Sequence, residues 1–274
     1  MNIGLRLHDA AGATLEEKLS IAHALGCRCV HLALSKAAPG FAMADAPRLL
    51  TREYAQEVGA LLDKYDLRLA LLGCYLNLAT PDEAELACTM DCYRAHLRFA
   101  GWLGGAMVGT ETGAPNVKYQ SGPECHTEEA LALFIRRLRP VVDAAEEYGA
   151  QMAIEPVCRH IVHTPERARQ VLDAIGSPRL HIIFDPVNLL DEANVHETDA
   201  VLERAIRLLG PDIRLVHIKD YMTDPAACVA AGEGTMDYSR VMRYVHQQNP
   251  NVPITLENTT PQNAAKALTF VNSL

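Results

Sequence analysis

Short apolar, β-branched runs alternate along the whole chain with stretches whose apolar residues recur every three to four positions. The runs predict strands over Asn2–Leu7, Cys27–Leu34, Leu67–Leu72, Ala106–Gly109, Gln151–Ile154, Leu180–Phe184, Leu215–Ile218 and Ile254–Leu256. The periodic stretches between them predict helices. Thr14-Leu15-Glu16-Glu17 spells a capping box, in which hydroxyl and carboxylate each satisfy a free backbone N–H. Leu15, Leu19, Ala22 and Leu25 then share one face, and Gly26 ends the helix. Thr80-Pro81-Asp82-Glu83 has the same form, with Pro at the first helical position, and Thr164-Pro165 and Thr260-Pro261 repeat the Thr-Pro opening. The segment from Thr127 to Tyr148 reads as one long helix that Pro140 kinks or splits.

Eight strand–helix units predict an α/β fold, a single-domain (β/α)8 TIM barrel spanning residues 1–274. The rival is an open, doubly wound sheet. Against it, no G-x-G-x-x-G turn follows the first strand, the units are evenly spread, and no Pro/Gly/Ser-rich hinge divides the chain.

Composition narrows the function classes. Hydrophobic residues make up 49% and charged residues 22%, enough apolar side chain for a core and too much for a disordered chain. The formal charge of -9, with no basic run, disfavours nucleic acid as a partner. No signal peptide and no apolar stretch long enough to span a membrane is read in the sequence, so a cytoplasmic location without membrane association is expected. The 8 cysteines form no C-x-x-C pair and are expected to be reduced, mostly buried thiols. Cys27 and Cys29 are expected to share a strand face.

In a barrel of this kind the chemistry gathers where the strands end and the loops converge. The first strand delivers Arg6, His8 and Asp9; the second Ser35 and Lys36; the third Cys74, Tyr75 and Asn77; the fourth Thr110 and Glu111. The last four end in Glu155, Asp185 with Asn188, His217 with Lys219 and Asp220, and Glu257. Glu155, Asp185, His217 and Glu257 lie at equivalent depth on successive strands. Three carboxylates brought together would hold protons unless a cation neutralised them, so one divalent metal ion is expected there. Carboxylates with an imidazole suit Mn2+, Mg2+ or Co2+, and Zn2+ is admissible. The bland alternative for any single member is a helix cap or a loop hydrogen bond, and His217 is the member for which it weighs most.

The motifs Ile154-Glu155-Pro156, Phe184-Asp185-Pro186-Val187-Asn188, Val216-His217-Ile218-Lys219-Asp220, Gly232-Glu233-Gly234-Thr235-Met236-Asp237-Tyr238 and Thr255-Leu256-Glu257-Asn258 resemble the xylose isomerase-like TIM-barrel superfamily of sugar and sugar-phosphate isomerases and epimerases. The resemblance covers nearly the whole chain, with its sharp motifs in the second half. It implies Glu155, Asp185, His217 and Glu257 as ligands of one divalent ion, Glu155 and Glu257 as the acid–base pair serving opposite faces of a small carbohydrate, and an enediolate reaction path. It also implies a homo-oligomer. His8, Cys74, Glu111, Arg159, Asn188 and Lys219 are candidates for substrate contact, and the loop Gly113–His126 is a candidate lid. The superfamily includes endonuclease IV, a three-zinc DNA-repair enzyme. Its additional histidines are missing here, since Cys74, Glu111 and Asn188 stand at the corresponding strand ends. Two alternatives remain open: an inosose-type dehydratase, for which no acid aimed at a leaving group is evident, and a catalytically silent barrel that binds a metal or sugar.

Overall fold

The computed structural model describes residues 1–274. Eight parallel strands close into a barrel: β1 (Ile3–Arg6), β2 (Cys29–Leu32), β3 (Arg68–Gly73), β4 (Met107–Glu111), β5 (Gln151–Glu155), β6 (Leu180–Phe184), β7 (Ile213–Ile218) and β10 (Ile254–Leu256). The ring closes where β1 pairs with β10, Leu5 opposite Leu256. A two-stranded antiparallel ribbon, β8 (Asp220–Tyr221) and β9 (Cys228–Val229), rises from the end of β7. The predicted (β/α)8 architecture is the observed one.

Two apolar layers hold it. The larger cluster packs the outward strand faces against the surrounding helices, and a small one of Cys29, Ala70, Leu71, Met107, Ala153, Ile183 and Leu215 fills the barrel interior. Side chains on a strand alternate sides. Each inward-facing position two residues after this layer therefore points into the barrel mouth. Ala153 leads to Glu155, Ile183 to Asp185, Leu215 to His217 and Cys29 to His31. Cys27 precedes β2 and packs in the outer layer, so it does not share the face of Cys29. All cysteines are free thiols, five of them buried.

The helix openings are mixed. Thr14 and Glu17 form the expected reciprocal box, and Thr164 caps a helix that starts at Pro165. Thr80-Pro81 does not open its helix. Asp82 caps it by accepting from Ala84 and Glu85 N–H, and the Thr80 hydroxyl donates to Glu85 instead. The carboxylate accepts two N–H groups at once, which a hydroxyl there does not. Thr260-Pro261 also lies outside its helix, which runs Ala264–Asn272. Pro140 neither splits nor ends the helix Glu128–Tyr148. It sits on the exposed face, where water can serve the carbonyl left free four residues earlier. No helix is long and apolar enough to cross a membrane.

One packed histidine sets a pH limit on the scaffold. His96 is fully buried in the helix Glu83–Trp102, with Nδ1 2.8 Å from the Cys92 carbonyl and Nε2 unpartnered. Burial lowers its pKa to about 4, against the pull of that carbonyl. The unfolded chain takes up this proton near pH 6.5 and the folded chain does not. Stability is therefore complete above about pH 6.5 and falls toward pH 4, by about 1.4 kcal/mol per unit. His96→Leu is expected to flatten the fall of Tm between pH 6.5 and 4.5. Parallel Tm profiles for the two proteins would refute this.

Candidate active site

The barrel mouth holds a cavity of about 250 Å3 lined by Arg6, His8, His31, Lys36, Tyr75, Glu111, Tyr119, Glu155 and Glu257. At its floor, buried polar side chains converge. His217 Nδ1 is 3.4 Å from a carboxylate oxygen of Glu155 and 3.4 Å from one of Glu257. Asp185 Oδ1 accepts from the Val187 and Asn188 N–H groups, which fixes the turn after β6. Asp185 Oδ2 lies 2.9 Å from Lys219 Nζ, without the geometry of a hydrogen bond. Glu155, Asp185 and His217 can bring ligand atoms within 4.8 Å of one another, and so can His31, His217 and Glu257. His217 belongs to both sets.

Charge is balanced within this layer. Burial disfavours the Glu257 carboxylate, but the cations of His217, Lys219 and Arg6 outweigh it and hold its pKa well below the usual range. Burial likewise disfavours protonated His217, yet Glu257 and Glu155 raise its pKa to about 9. Lys219 is raised in the same way, against burial, by Asp185 and Glu257. Asp185 is raised by burial, which Lys219 only partly offsets.

The residues fit a divalent cation. Neither ring nitrogen of buried His217 makes a hydrogen bond, and Asp185 Oδ2 faces the Lys219 ammonium at 2.9 Å without hydrogen-bonding to it. Unsatisfied buried donors and acceptors are costly unless a further group completes them. The donor set is oxygen and imidazole with no thiolate, which matches hard and borderline ions. Glu155, Asp185 and His217 would hold such an ion, and His31 and Glu257 make a second set with the same His217.

Of the candidates for substrate contact, His8 and Glu111 line the cavity. Burial, with the nearby Arg6 and Lys36 cations, lowers the His8 pKa to about 4, so the ring is neutral at pH 7. Burial and the Glu155 charge raise Glu111 to about 7. Its carboxylate lies 3.4 Å from His160 Nδ1. The other candidates lie elsewhere. Cys74 is packed in the outer apolar layer, because its position on β3 points away from the barrel axis. Arg159 is exposed on the turn after β5 and is not part of the cavity wall. Asn188 donates to Glu155 Oε1 at 2.6 Å and accepts from Lys219 Nζ at 2.8 Å, so its amide bridges the floor groups. Lys219 is taken up by Asp185, Asn188 and Glu257. Asp220 serves the loop above by accepting from Tyr221, Gly232 and Met236 N–H.

Five wall residues, Arg6, His31, Lys36, Tyr75 and Tyr119, lie outside the candidate set, and three of them bear on the floor. His31 is buried, 3.0 Å from the Tyr75 hydroxyl and stacked on the His217 ring at 5.5 Å. Tyr75 is the second, and Arg6 is the third, 3.4 Å from Glu257 and bonded to Asp9. A Cβ on Gly73 would lie 2.6 Å from the Tyr75 ring and 2.9 Å from His31 Nε2, so glycine is required beside this pair. The loop after β4 forms the remaining wall through Tyr119, and Asn77 pins its base by donating to Ala114 and Asn116 carbonyls.

The sequence model of the xylose isomerase-like TIM barrel family matches residues 19–274. The chain belongs to this family. Among solved structures, a 3-keto-D-glucoside 4-epimerase from E. coli superposes over 100% of both chains with TM-score 0.77 and 16% identity. A D-tagatose 3-epimerase-like protein superposes over 100% of this chain and 96% of its own, with TM-score 0.76 and 20% identity. The IOLI protein, solved with a zinc atom, covers 100% of this chain and 96% of its own, with TM-score 0.73 and 16% identity. A probable L-ribulose-5-phosphate 3-epimerase from Mycoplasma pneumoniae is 23% identical over 144 residues, which are 53% of this chain and 45% of that protein. The chain thus spans less than half the length of this curated relative.

Proposed function

We propose that the protein is an enzyme that isomerises or epimerises a small polyhydroxy carbonyl compound by moving a proton at the carbon next to the carbonyl. The observation that carries this reading is the approach of Glu155 and Glu257 to one buried imidazole, His217, at the floor of a cavity sized for a single sugar. One carboxylate removes the proton and the other, or the same one, returns it. Return to the opposite face inverts the carbon, and return to the neighbouring carbon exchanges aldose and ketose. Glu257 is kept in the ionised form that can accept a proton by His217, Lys219 and Arg6, and the same three cations lower its strength as a base. Asn188 orients Glu155 through its 2.6 Å hydrogen bond. A divalent ion held by Glu155, Asp185, His217 and Glu257 would supply positive charge against the oxyanion that develops as the proton leaves. The family membership and the names of the relatives, sugar epimerases among them, support the same class.

Glu111 supports a second reading. A wall carboxyl with a pKa near 7 is protonated in part at neutral pH and can deliver a proton to a leaving hydroxyl. That is the acid a dehydratase of inosose type requires, at a residue the sequence had offered as a candidate for substrate contact.

Purified protein supplied with Mn2+ in D2O, offered a panel of ketoses, aldoses and inososes in free, phosphorylated and carboxylate forms, separates these readings by NMR. Deuterium uptake at the α-carbon with an isomer or epimer as product is the expected result. Uptake with loss of a β-hydroxyl would favour dehydration. No uptake from any compound would reject the catalytic reading in favour of a silent binding barrel.

A further inference from the structure

The cavity is polarised along its depth. Glu155 and Glu257 are 2% and 6% exposed at the floor, whereas Lys36 stands exposed at the rim. Every other full charge of the lining near Lys36 is paired. Arg6 binds Asp9 at 3.0 Å and Glu257 at 3.4 Å. Lys36 takes part in no ion pair, and its Nζ lies 5.8 Å from the centre of the Tyr75 ring, a weak contact. It is nonetheless well placed. It sits on the short helix Leu34–Ala37, whose Leu34 and Ala37 are buried and so fix the helix on the barrel. From Lys36 a continuous wall descends through Tyr75 and His31 to His217. A ligand whose reacting carbons rest at the floor can therefore follow this wall and place its far end beside Lys36.

We infer that the substrate is an anionic sugar derivative, one bearing a phosphate or carboxylate group that Lys36 binds at the cavity rim. A chain of formal charge -9 repels anions at large, so an anionic ligand needs a cation of this kind at its entry. The unpaired Lys36 ammonium, at the rim above the carboxylate-lined floor, provides it. This inference rests on the reading of the site as a sugar-binding one, and it adds which sugars.

Binding can be tested apart from turnover. D-arabitol, D-arabitol 5-phosphate and D-arabinonate are titrated by calorimetry into the wild-type protein, Lys36→Gln and Lys36→Arg. The expected result is that at least one anionic polyol binds about tenfold or more tighter than D-arabitol. Lys36→Gln should lose that preference and Lys36→Arg should keep most of it. The phosphate and carboxylate arms show which anion is the better fit. Equal binding of all three polyols, or a preference that survives Lys36→Gln, would overturn the inference and leave the proton-transfer reading intact. Conversely, Lys36-dependent anion binding in a protein that exchanges no deuterium would reject the catalytic reading and keep this one.

Discussion

Glu257→Gln is expected to abolish α-carbon deuterium exchange, by about 10²–10⁴-fold, while the barrel stays folded. The glutamine keeps the shape and one oxygen but cannot accept a proton. The effect has a second, independent reading. Glu257 is the main charge that raises the His217 pKa to about 9, so its removal should bring the imidazole titration of the metal-free protein down, as followed by NMR of labelled histidine. A group that merely fills space would move neither quantity. Metal content must be measured beside activity, because the variant also removes a ligand oxygen. If the variant retains its metal and loses exchange, Glu257 acts on the proton. Undiminished exchange would reject its role as base.

Glu155→Gln offers the matching comparison. Its oxygens face Asn188 at 2.6 Å and His217 at 3.4 Å. If the two glutamates serve opposite faces, each variant should slow proton removal chiefly from one epimer.

The barrel was legible because its evidence is repeated: each strand is an apolar run, and each run ends in a polar residue at similar depth. Strand-end chemistry was legible for the same reason: Glu155, Asp185 and His217 approach one another, and Glu257 approaches the same His217. What failed was the use of strand ends without the two-residue alternation. Counting from Leu71 sends Gly73 and Tyr75 inward and Cys74 outward, where the structure has it. Counting from Cys29 sends His31 inward, although it sits inside an apolar run and reads as core. Asn188 and Lys219 could not be placed by counting. Asn188 is turned toward Glu155 by the Asp185 carboxylate accepting two N–H groups, and Lys219 follows the barrel strand into the same cluster. Those turns depend on side-chain geometry that one-dimensional spacing does not carry. The same limit explains Thr80. The Thr-Pro pattern is locally sound, but Asp82, two residues on, accepts two N–H bonds and decides where the helix begins.

Lys219→Met is expected to destabilise the metal-free protein by about 3–5 kcal/mol at pH 8, because it leaves buried carboxylates without their cation. Nζ lies 2.9 Å from Asp185 and 3.4 Å from Glu257, and the residue is 5% exposed. Methionine preserves most of the volume, so the loss is chiefly electrostatic. For a domain of this size the drop corresponds to roughly 10 °C in Tm. The pH dependence fixes the cause. Burial raises the Asp185 pKa and Lys219 opposes that rise, so the variant should raise it further. A carboxyl with a raised folded pKa is stabilising while protonated, and that contribution is lost as pH climbs through the folded value. The gap between variant and wild type should accordingly narrow at pH 5 and widen at pH 8. Mn2+ supplies the missing positive charge to the same carboxylates and should recover much of the lost Tm in the variant. A Tm within about 2 °C of wild type at pH 8, on the scale of that expected drop, would mean that the ammonium is not what balances the floor. A large drop that Mn2+ leaves untouched would mean that these oxygens do not gather a divalent ion.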